Sequence, residues 1–361
     1  MRFTVLQESL RQALAEVVRV VPSKSTLPIV ANVHIATVDG RVVLTADNLT
    51  QRIEATVGAK VEEEGAITVD AKKLSAAIGT LPPVSLTVRI DGTQLAVDGG
   101  NAKLRFPTMS ADDFPRGGGD IDWRDAVEVP AEEFRTVSRH VAGMVASDDS
   151  RPVLTAVNFL ANDGERTWVA ADGFRLAIYG LPETLPGVNI PAEALRAVVA
   201  KGSEPIAVAI AADGQRVRFQ WQDRVLTTLA ISGTFPNYQQ LIPEDFQHTA
   251  TFYAAEELLN AVRVAGGFTE DNIVRFESVG TDAVKVSAHG TGEGVATVSA
   301  TISGEMRVAL NKRYAEDALT AFNGELAMSG NGPQSQWVFT APENPLTVVV
   351  MPMFVQWESG T

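Results

Sequence analysis

Few residues of this sequence could carry out chemistry, and their spacing argues against an active site. Thiol catalysis and thiolate metal ligands are excluded because the chain has no cysteine. The four histidines are scattered without the spacing of metal ligands: they are His34, His140, His248 and His289. His34 and His289 stand in alternating strand patterns, where a packed or surface histidine is the ordinary case. The histidines therefore predict no metal site.

Carboxylate pairs and one glycine-rich segment are the remaining candidates for catalysis. Asp112-Asp113 and Asp148-Asp149 could supply acid and base for hydrolysis, but adjacent acids in loops are usually just solvated. No pairing of a nucleophile with a base accompanies them. The segment GTGEG from Gly290 lacks the lysine and the helix that follow a phosphate-binding loop. An enzyme is therefore a weak hypothesis for this chain.

The composition is that of an ordinary globular protein. The chain has 361 residues, of which 45% are hydrophobic and 20% charged. This length allows two or three domains, each with its own core. No window is apolar enough for a membrane span, and residues 1–20 are amphipathic rather than signal-like. We therefore expect a cytoplasmic protein with no membrane partner.

Apolar residues at helical spacing recur at the start of each third of the chain. The spacing fits the i, i+3, i+4, i+7 pattern of an amphipathic helix. The three sets are Leu10, Leu14, Val17, Val18 and Val21; Phe134, Val137, Val141, Met144 and Val145; and Leu258, Leu259, Val262 and Ala265.

A second short helix is predicted later in each third, after a strand-like run. The three segments are TVDAKKLSAAIGTL from Thr68, NIPAEALRAVVAKG from Asn189 and RVALNKRYAEDALTAF from Arg307. When they are aligned on Lys72, Glu193 and Lys312, the copies are 121 and 119 residues apart. The repeat lies in pattern and spacing, since the copies share almost no identity.

Alternating strand patterns fill the rest of each third. Asp-Gly pairs that suit hairpin turns separate several of these runs, at residues 39–40, 91–92, 163–164 and 213–214. Residues 116–126 and 243–250 have the composition of linkers. We therefore predict three α+β domains, at residues 1–120, 121–245 and 246–361, with the helices of each on one face of its sheets.

Eight segments in order along the chain match a known family. They are STLPIVANVHI from Ser25, LTADNLTQRIEA from Leu44, FPTMSADDFP from Phe106, RPVLTAVNF from Arg151, VAADGFRLAI from Val169, GTFPNYQQLIP from Gly233, LNKRYAEDAL from Leu310 and VVVMPMFV from Val348. Any one of them is weak alone. Together, on a threefold repeat, they resemble the bacterial DNA polymerase III beta subunit, the replicative sliding clamp, over essentially the whole chain.

The resemblance implies a fold and a function. The fold would be a ring-shaped head-to-tail homodimer of three-domain subunits, with the helices lining the hole and antiparallel sheets outside. The function would be that of a DNA sliding clamp, which encircles duplex DNA and tethers DNA polymerase as a non-catalytic processivity factor. The implied partners are double-stranded DNA without sequence preference, the DNA polymerase III alpha subunit, the clamp loader, and other polymerases and repair proteins that dock through short linear motifs. Neither a metal nor a cofactor is implied.

The charge distribution permits DNA inside such a ring. The formal net charge of −14 argues against nucleic-acid binding when taken as a total. However, the predicted helices, with the turn after the first, carry 12 basic and 9 acidic residues, whereas the rest carries 18 and 35. Lysine and arginine are also good helix formers, so charge alone does not decide the matter. The residues predicted to face DNA are Arg11, Arg19, Lys24, Lys72, Arg135, Arg139, Arg151, Arg196, Lys201 and Lys312, with His140 as a further candidate.

The family resemblance also implies a docking pocket between the middle and last domains. The matching positions are Leu154, Ala171, Gly173, Phe174, Arg175, Leu176, Pro236, Gln240, Leu241, Val349, Met351, Pro352 and Met353. The leucines and methionines suit an apolar socket for a peptide, and Arg175 is expected to frame its rim. Each residue alone would more often be an ordinary strand or core residue, but the set favours a pocket.

The sequence departs from the family at several positions. Ala171 replaces a common threonine and Phe174 a frequent histidine, so we expect a more apolar pocket. For ring closure, Leu104 and Phe106 fit the edge strand of the first domain. On the opposite side Phe268 follows three small residues that replace bulkier apolar ones. The alternatives are therefore a clamp-like peptide-binding scaffold that does not encircle DNA, and an inhibitor-tolerant clamp paralogue.

Overall fold

The helices of the protein lie where the apolar periodicity predicts them. A computed structural model describes residues 1–117, 121–162, 164–182, 187–290 and 292–357. The α-helices in this part of the chain are α1 (Gln7–Val17), α2 (Ala71–Thr80), α3 (Ala131–Thr136), α4 (Ala192–Ala197), α5 (Ala255–Ala265) and α6 (Lys312–Leu319). The second helix of each third begins at a matching point of the repeat. Asp70 caps α2 and Asn311 caps α6, by accepting backbone hydrogen bonds from Lys73 and Arg313.

Three helices are shorter than the sequence predicts. Helix α1 ends before Val18 and Val21, and α4 ends at Ala197. In the middle third, α3 passes into a π-helical turn, Val137–Val141, in which the amide of Ala142 donates to the carbonyl of Val137 at 2.8 Å. The predicted helix is wrong beyond this turn, because Met144 and Val145 lie in a bend.

Strands make up most of the remaining described residues. The first ten are β1 (Arg2–Leu6), β2 (Asn32–Val38), β3 (Arg41–Asp47), β4 (Gln51–Gly58), β5 (Lys60–Glu63), β6 (Ala66–Asp70), β7 (Ser85–Asp91), β8 (Gln94–Gly99), β9 (Ala102–Met109) and β10 (Val127–Val129). The next seven are β11 (Ala156–Asn162), β12 (Glu165–Ala171), β13 (Arg175–Tyr179), β14 (Val188–Pro191), β15 (Ile206–Ile210), β16 (Arg216–Trp221) and β17 (Arg224–Leu229). The last eight are β18 (His248–Phe252), β19 (Ile273–Val279), β20 (Ala283–His289), β21 (Glu293–Ser303), β22 (Arg307–Asn311), β23 (Leu326–Gly330), β24 (Trp337–Ala341) and β25 (Asn344–Val350).

The strands form two sheets, and each sheet belongs to one of two compact units. Unit 1 comprises Met1–Phe134 and Glu193–Ala230, and unit 2 comprises Arg135–Ala192 and Ile231–Thr361. The sheet of unit 1 has the order β10-β15-β16-β17-β4-β3-β2-β6-β9-β8-β7-β1-β5. The sheet of unit 2 has the order β14-β11-β12-β13-β25-β24-β23-β18-β21-β20-β19-β22. All of the strand pairs are antiparallel, so the predicted α+β class with antiparallel sheets is confirmed.

The helices pack in pairs against their sheets. In unit 1, α1 contacts α2 and lies on β3 and β4, and α2 lies on β2 and β6. In unit 2, α5 contacts α6 and lies on β20 and β21, and α6 contacts β22 and β25. Leu10, Leu14 and Val17 of α1 are fully or almost fully buried, which explains their helical spacing. The predicted grouping of helices on a sheet face is therefore found in both pairs.

The predicted hairpin turns are largely confirmed, whereas one predicted linker is partly wrong and the other lies partly outside the described residues. Hairpin turns follow β2, β7 and β15 at the predicted Asp-Gly pairs, and each glycine has a positive φ. Gly164 lies in the fourth turn, whereas Asp163 falls outside the described residues. The linker predicted at 243–250 is wrong from His248 onward, because β18 begins there. Residues 118–120 of the other predicted linker lie outside the described residues.

Candidate functional site

A tight turn between β12 and β13 presents the first group of predicted pocket residues. The carboxylate of Asp172 accepts backbone hydrogen bonds from Phe174 at 2.9 Å and Arg175 at 3.0 Å. Gly173 lies between them with φ +96°, a conformation that favours glycine. The turn directs Phe174 outward, so that 58% of this residue is exposed.

The pairing of β13 with β25 brings the two halves of the predicted pocket together. Leu176 is opposite Val349 in the register. Beyond the end of the ladder, the amide of Met351 donates to the carbonyl of Phe174 at 2.8 Å. Met351 is 38% exposed, so its side chain and that of Phe174 are both exposed where β25 ends and β13 begins.

A buried apolar cluster lies beneath this surface and includes three of the predicted residues. Leu176 and Val349 are buried members, and Ala171 packs against them half-buried. The remaining members are Val169, Ile178, Tyr238 and Val338, with Phe235 and Ile242 packed against the cluster. Leu176 and Val349 therefore support the surface rather than line it, and a ligand would contact the more exposed residues above them.

Arg175 does not frame a rim, and the sequence-based prediction of its role is wrong. Its side chain is only 3% exposed. The guanidinium donates to Asp172 at 2.9 Å, to Asp317 of α6 at 2.5 Å and to the carbonyl of Gly143 at 3.2 Å. It also lies over the ring of Tyr314, 4.6 Å from the centroid. Because all of its donors point inward, Arg175 holds the turn in place and is not available to a ligand.

The other predicted pocket residues differ in exposure. Leu154 is buried in the short 3-10 turn Pro152–Thr155. Pro236, Gln240 and Leu241 surround the buried Tyr238 and are exposed, Leu241 by 40%. After Met351 the chain continues through the half-buried Pro352 and Met353, and the amide of Met353 donates to the carbonyl of Ala309 at 2.8 Å.

Sequence reasoning missed four residues that build this surface. They are Asp172, Tyr238, Tyr314 and Asp317. Asp172 had a recognisable signal, since an aspartate before a glycine favours a turn. Tyr238 lies within the quoted GTFPNYQQLIP segment, although its burial has no sequence signal. Asp317 and Tyr314 come from α6, and only the fold places them beside Arg175.

The basic residues predicted in unit 1 are exposed on and beside its helices. Arg11 and Arg19 lie two turns apart on the exposed side of α1 and the turn that follows. The guanidinium of Arg19 donates to the carbonyl of Arg196 in α4 at 3.2 Å. The ammonium of Lys72 in α2 donates to the carbonyl of Pro22 at 3.2 Å, beside the exposed Lys24. These residues therefore come together from three helices and one loop.

Acidic residues of the same helices are partly withdrawn from that surface. Glu16 is buried and accepts from Arg224 at 2.5 Å and from Lys201 at 3.3 Å. Glu193 accepts from the buried Gln51 at 2.5 Å but remains exposed. The exposed helix surface is therefore more basic, by the one buried carboxylate of Glu16, than a count of residues along the helices indicates. However, the ammonium of Lys201 is engaged by Glu16, which reduces its availability for phosphate.

The basic residues predicted in unit 2 are less uniformly available. Arg139 and Arg151 are exposed, and Arg135 is half-buried. Lys312 is half-buried, with its ammonium 2.9 Å from the carbonyl of Gly266. Burial, with Arg139 as the second cause, lowers the pKa of His140 and keeps that imidazole neutral near pH 7.

Near the predicted dimer residues, two strands are paired on only one side over part of their length. In unit 1, β9 pairs with β8 from Ala102 to Pro107, and with β6 only at Thr108 and Met109. Leu104 and Phe106 lie half-buried on the one-sided part of β9. In unit 2, β21 pairs with β20 from Glu293 to Ser299 and with β18 only from Ala300 onward. Phe268 is 47% exposed and lies against Gly294 at the start of β21.

A concavity of about 640 Å³ lies in unit 1, and none of the predicted pocket residues lines it. It is formed by β4, β16 and β17, with Pro115, Arg116 and Trp123 along its border. Among the described residues, no group of three or more histidine or acidic side chains could hold a metal ion. No helix in the described ranges is long and apolar enough to cross a membrane.

Comparisons with known proteins connect this geometry to one family. Residues 1–117 match the model of the DNA polymerase III beta subunit, N-terminal domain, and residues 128–237 match that of its central domain. The beta sliding clamp of Synechococcus elongatus is 29% identical over 99% of this chain and 100% of its own length. That of Bacillus subtilis is 23% identical over 98% of this chain and 99% of its own.

Solved structures share the fold of the whole chain. The DNA polymerase sliding clamp from Bacillus subtilis superposes with a TM-score of 0.89 at 22% identity, covering 99% of this chain and 100% of that one. The DNA polymerase III subunit beta from Pseudomonas aeruginosa bound to griselimycin has a TM-score of 0.88 at 23% identity, covering 98% and 100%.

Proposed function

The chain belongs to the DNA polymerase III beta subunit family, and from that premise we propose that two copies close head to tail into a ring around duplex DNA. The family predicted from the sequence motifs is therefore confirmed. Its members are beta sliding clamps, and the chain is a non-catalytic processivity factor of DNA polymerase III. The ring, the residues that face DNA and the docking pocket are the parts that we propose.

The observation that carries the ring proposal is the exposed basic surface of the helices in unit 1. Arg11, Arg19, Lys24, Lys72 and Arg196 meet there, while Glu16 is buried in ion pairs. A few such cations attract phosphate weakly and without reading sequence. Retention would then come from the topological link, which leaves the ring free to slide. Arg135, Arg139 and Arg151 are proposed as the corresponding residues of unit 2.

Loading onto circular DNA followed by linearisation tests the ring. A clamp that encircles DNA should be retained on the circle and lost from the cut ends, whereas a protein held by direct contacts should stay. The double variant Arg11→Glu and Arg19→Glu should reduce the amount of protein loaded, because it reverses charge on the proposed inner surface, while the molecules that are loaded should still be retained on the circle. Arg41→Glu, an exposed position in β3, is the matched control and should slide like the wild type. Retention on linear DNA would contradict the ring.

For ring closure we propose that the open edge of β9 in one copy pairs with the open edge of β21 in the next. An unpaired strand edge offers free amides and carbonyls for such pairing. Leu104 and Phe106 would contact Phe268 and β21 across the junction. Phe106→Asp should give a monomer by sedimentation at micromolar concentration. A wild type that is itself monomeric there would favour the peptide-binding scaffold that does not encircle DNA.

We propose that partner proteins dock a short linear motif onto the surface formed by Phe174, Leu241 and Met351. These three apolar residues are exposed beside a buried apolar cluster, which suits the binding of apolar anchors. Gly173, Pro236, Gln240, Pro352 and Met353 would border the motif, and Leu154, Ala171, Leu176 and Val349 would support it. The expected partners are the polymerase III alpha subunit, the clamp loader, and other polymerases and repair proteins.

Affinity for a peptide from the alpha subunit tests this surface. Met351→Ala should raise the Kd about tenfold, as expected for loss of one buried anchor. Val38→Ala is the matched control, because Val38 is an exposed apolar residue at the end of β2 in unit 1 and lies outside this surface. An unchanged Kd for Met351→Ala would overturn the docking surface.

An inhibitor-tolerant clamp is the second candidate, and the exposed Phe174 ring is the observation that favours it. That ring lies 6.4 Å from the ring of Tyr314 in a stacked arrangement, where the family often has a histidine. Griselimycin, present with the Pseudomonas aeruginosa clamp, is a suitable probe. If Phe174→His tightens griselimycin binding and leaves peptide binding unchanged, the tolerance hypothesis is supported; equal affinities contradict it.

The domain boundaries and the location complete the proposal. We propose clamp domains at residues 1–120, 121–245 and 246–361, supported by the recurring helix pairs and by the two matched ranges. A cytoplasmic location is proposed because replication takes place there in bacteria.

A further inference from the structure

The concavity of unit 1 is built on the same backbone frame as the docking surface of unit 2. The side chain of Asn48 accepts from the amides of Thr50 and Gln51, as Asp172 does from Phe174 and Arg175. Leu49 has φ +76°, matching Gly173. The two turns are therefore equivalent, residue for residue.

Two further contacts extend this equivalence beyond the turn. The amide of Leu229 donates to the carbonyl of Thr50 at 2.9 Å, as that of Met351 does to Phe174. The side chain of Gln51 reaches Glu193 of α4 as Arg175 reaches Asp317 of α6. Strands β4 and β17 thus correspond to β13 and β25, and each pair ends in an exposed apolar side chain.

The charges of the concavity are what distinguish it from the docking surface. We name it the arginine groove, after Arg52, Arg116, Arg216 and Arg218 on its walls. Its two acids, Asp47 and Glu54, are both paired with Arg52, at 3.1 and 2.9 Å. Among the described residues, Arg116 and Arg216 have no carboxylate partner, and Arg218 lies over the ring of Trp123 at 4.6 Å. Among the residues that the structure describes, the groove therefore has four guanidinium groups against two carboxylates, on a protein of net charge −14.

Apolar side chains stand beside these cations. Leu49 is 58% exposed and Leu229 is 39% exposed, and both line the groove together with Trp123. A concave surface with apolar anchors and a few guanidinium groups suits a peptide that carries both carboxylates and an apolar side chain. Stacking of a nucleic-acid base on one face of Trp123 is blocked, because Arg218 covers that face.

We propose that the arginine groove binds an acidic peptide segment of a partner protein. The carboxylates would pair with Arg216 and Arg218, and an apolar side chain would lie between Leu49 and Leu229. This site is separate from the docking surface at Met351, and the proposal draws on the proposed function only in choosing a peptide as occupant.

Fluorescence anisotropy with a labelled short peptide that alternates glutamate with leucine tests the proposal. Saturable binding is expected, weakening with salt. Replacing the glutamates with glutamine, or Arg216→Gln or Arg218→Gln in the protein, should each raise the Kd about tenfold, as for loss of a charge-assisted hydrogen bond. Arg41→Gln, an exposed arginine outside the groove, is the matched control and should leave the Kd unchanged. Thermal unfolding of each variant checks that the fold is retained.

The position of the peptide is checked by ¹⁹F NMR of protein labelled with 5-fluorotryptophan. Peptide should shift the Trp123 resonance, assigned by its loss in Trp123→Phe. No saturable binding, an unmoved Trp123 signal, or a Kd insensitive to Arg216→Gln and Arg218→Gln would overturn the proposal. Loss of binding with Met351→Ala instead would place the peptide on the docking surface, overturning this inference but not the proposed function. Tighter binding of single-stranded DNA with the same arginine dependence would also overturn it.

Discussion

Two pairs of adjacent strands, β13–β25 in unit 2 and β4–β17 in unit 1, have equivalent backbone hydrogen bonds but different side chains. At the β13–β25 junction these side chains are mainly apolar, and at the β4–β17 junction several of them are charged. Where Leu176 stands opposite Val349, the other junction has Arg52 opposite Thr227. Ala171 and Ile178 of the apolar cluster likewise correspond to Asp47 and Glu54, and Val338 corresponds to Arg218. The positions that form an apolar core at the junction of unit 2 thus carry ion-paired and arginine side chains around the concavity of unit 1.

A single position explains much of the difference in shape. Phe235-Pro236 and Phe114-Pro115 occupy matching places, so Tyr238 corresponds to Gly117. Tyr238 is buried in the apolar cluster, whereas a Cβ on Gly117 would lie 3.2 Å from the Arg52 guanidinium. The missing side chain leaves the arginine groove open. The comparison shows that backbone hydrogen bonds can preserve the backbone geometry of a repeat while different side chains suit it to a different ligand.

The largest effect on the free energy of unfolding is expected from removing the buried Tyr238 ring at the β13–β25 junction. Tyr238→Ala removes a buried ring from the apolar cluster and should lower the free energy of unfolding by about 3 to 4 kcal/mol. Tyr253→Ala, which truncates a mostly exposed tyrosine of the same unit, should change it by less than about 0.5 kcal/mol. Urea denaturation of the three proteins measures both values. A loss for Tyr238→Ala no larger than for Tyr253→Ala would show that the cluster does not depend on this ring.

The next effect concerns the buried polar residue behind each turn. Arg175→Met leaves Asp172 without its cation and Asp317 with only the exposed Arg313 at 3.8 Å, and should cost about 3 kcal/mol. The equivalent change in unit 1, Gln51→Met, breaks one hydrogen bond to the exposed Glu193 and should cost about 1 kcal/mol.

A double variant tests whether the Gln51–Glu193 pair of unit 1 can replace the Arg175–Asp317 pair of unit 2. Arg175→Gln with Asp317→Glu copies the Gln51–Glu193 pair into unit 2 and should recover part of the stability lost with Arg175→Gln alone. Equal losses for Arg175→Met and Gln51→Met in urea denaturation would contradict the view that the arginine holds the turn of unit 2.

The sequence predicted the helices and turns around the two junctions much better than the burial and contacts of their side chains. Periodicity located the six helices, and the Asp-Gly pairs located the hairpins, because both depend on neighbours along the chain. The family motif located the exposed Phe174 and Met351. Arg175 was misjudged as a rim residue because its burial depends on Asp317, which is distant in sequence. The arginine groove was missed entirely, since Arg52 and Arg216 line one concavity only because β4 pairs with β17 and β17 pairs with β16.

Converting the charged junction into the apolar one is a stricter test of the comparison. Arg52→Leu alone leaves Asp47 and Glu54 unpaired, and because Arg52 is 25% exposed the cost should be about 1 to 2 kcal/mol. The triple variant Asp47→Ala, Arg52→Leu and Glu54→Ile copies the residues of unit 2. It should return the free energy of unfolding to within about 1 kcal/mol of the wild type. A triple variant less stable than Arg52→Leu would show that the charged residues are required by their surroundings.

The smallest expected effect is a pH dependence of the free energy of unfolding, which arises from His34 near the charged residues of unit 1. His34 stacks on Phe114, 5.2 Å between ring centroids, and burial followed by the charge of Arg52 lowers its pKa. As the pH falls below about 6.5, the ordinary histidine pKa, the unfolded chain takes up a proton before the folded one does. The free energy of unfolding should therefore decrease as the pH falls through this range, and His34→Gln should make that decrease shallower.

A matched pair of histidines identifies the cause. Burial also lowers the pKa of His140, but its second cause is Arg139 rather than Arg52. In Arg52→Leu the pKa of His34, followed by NMR titration, should rise toward its ordinary value, while that of His140 stays unchanged. If the pKa values of both histidines move, or if neither moves, Arg52 does not act on His34 through its charge. The electrostatic difference between the two junctions would then be confined to the residues of the arginine groove.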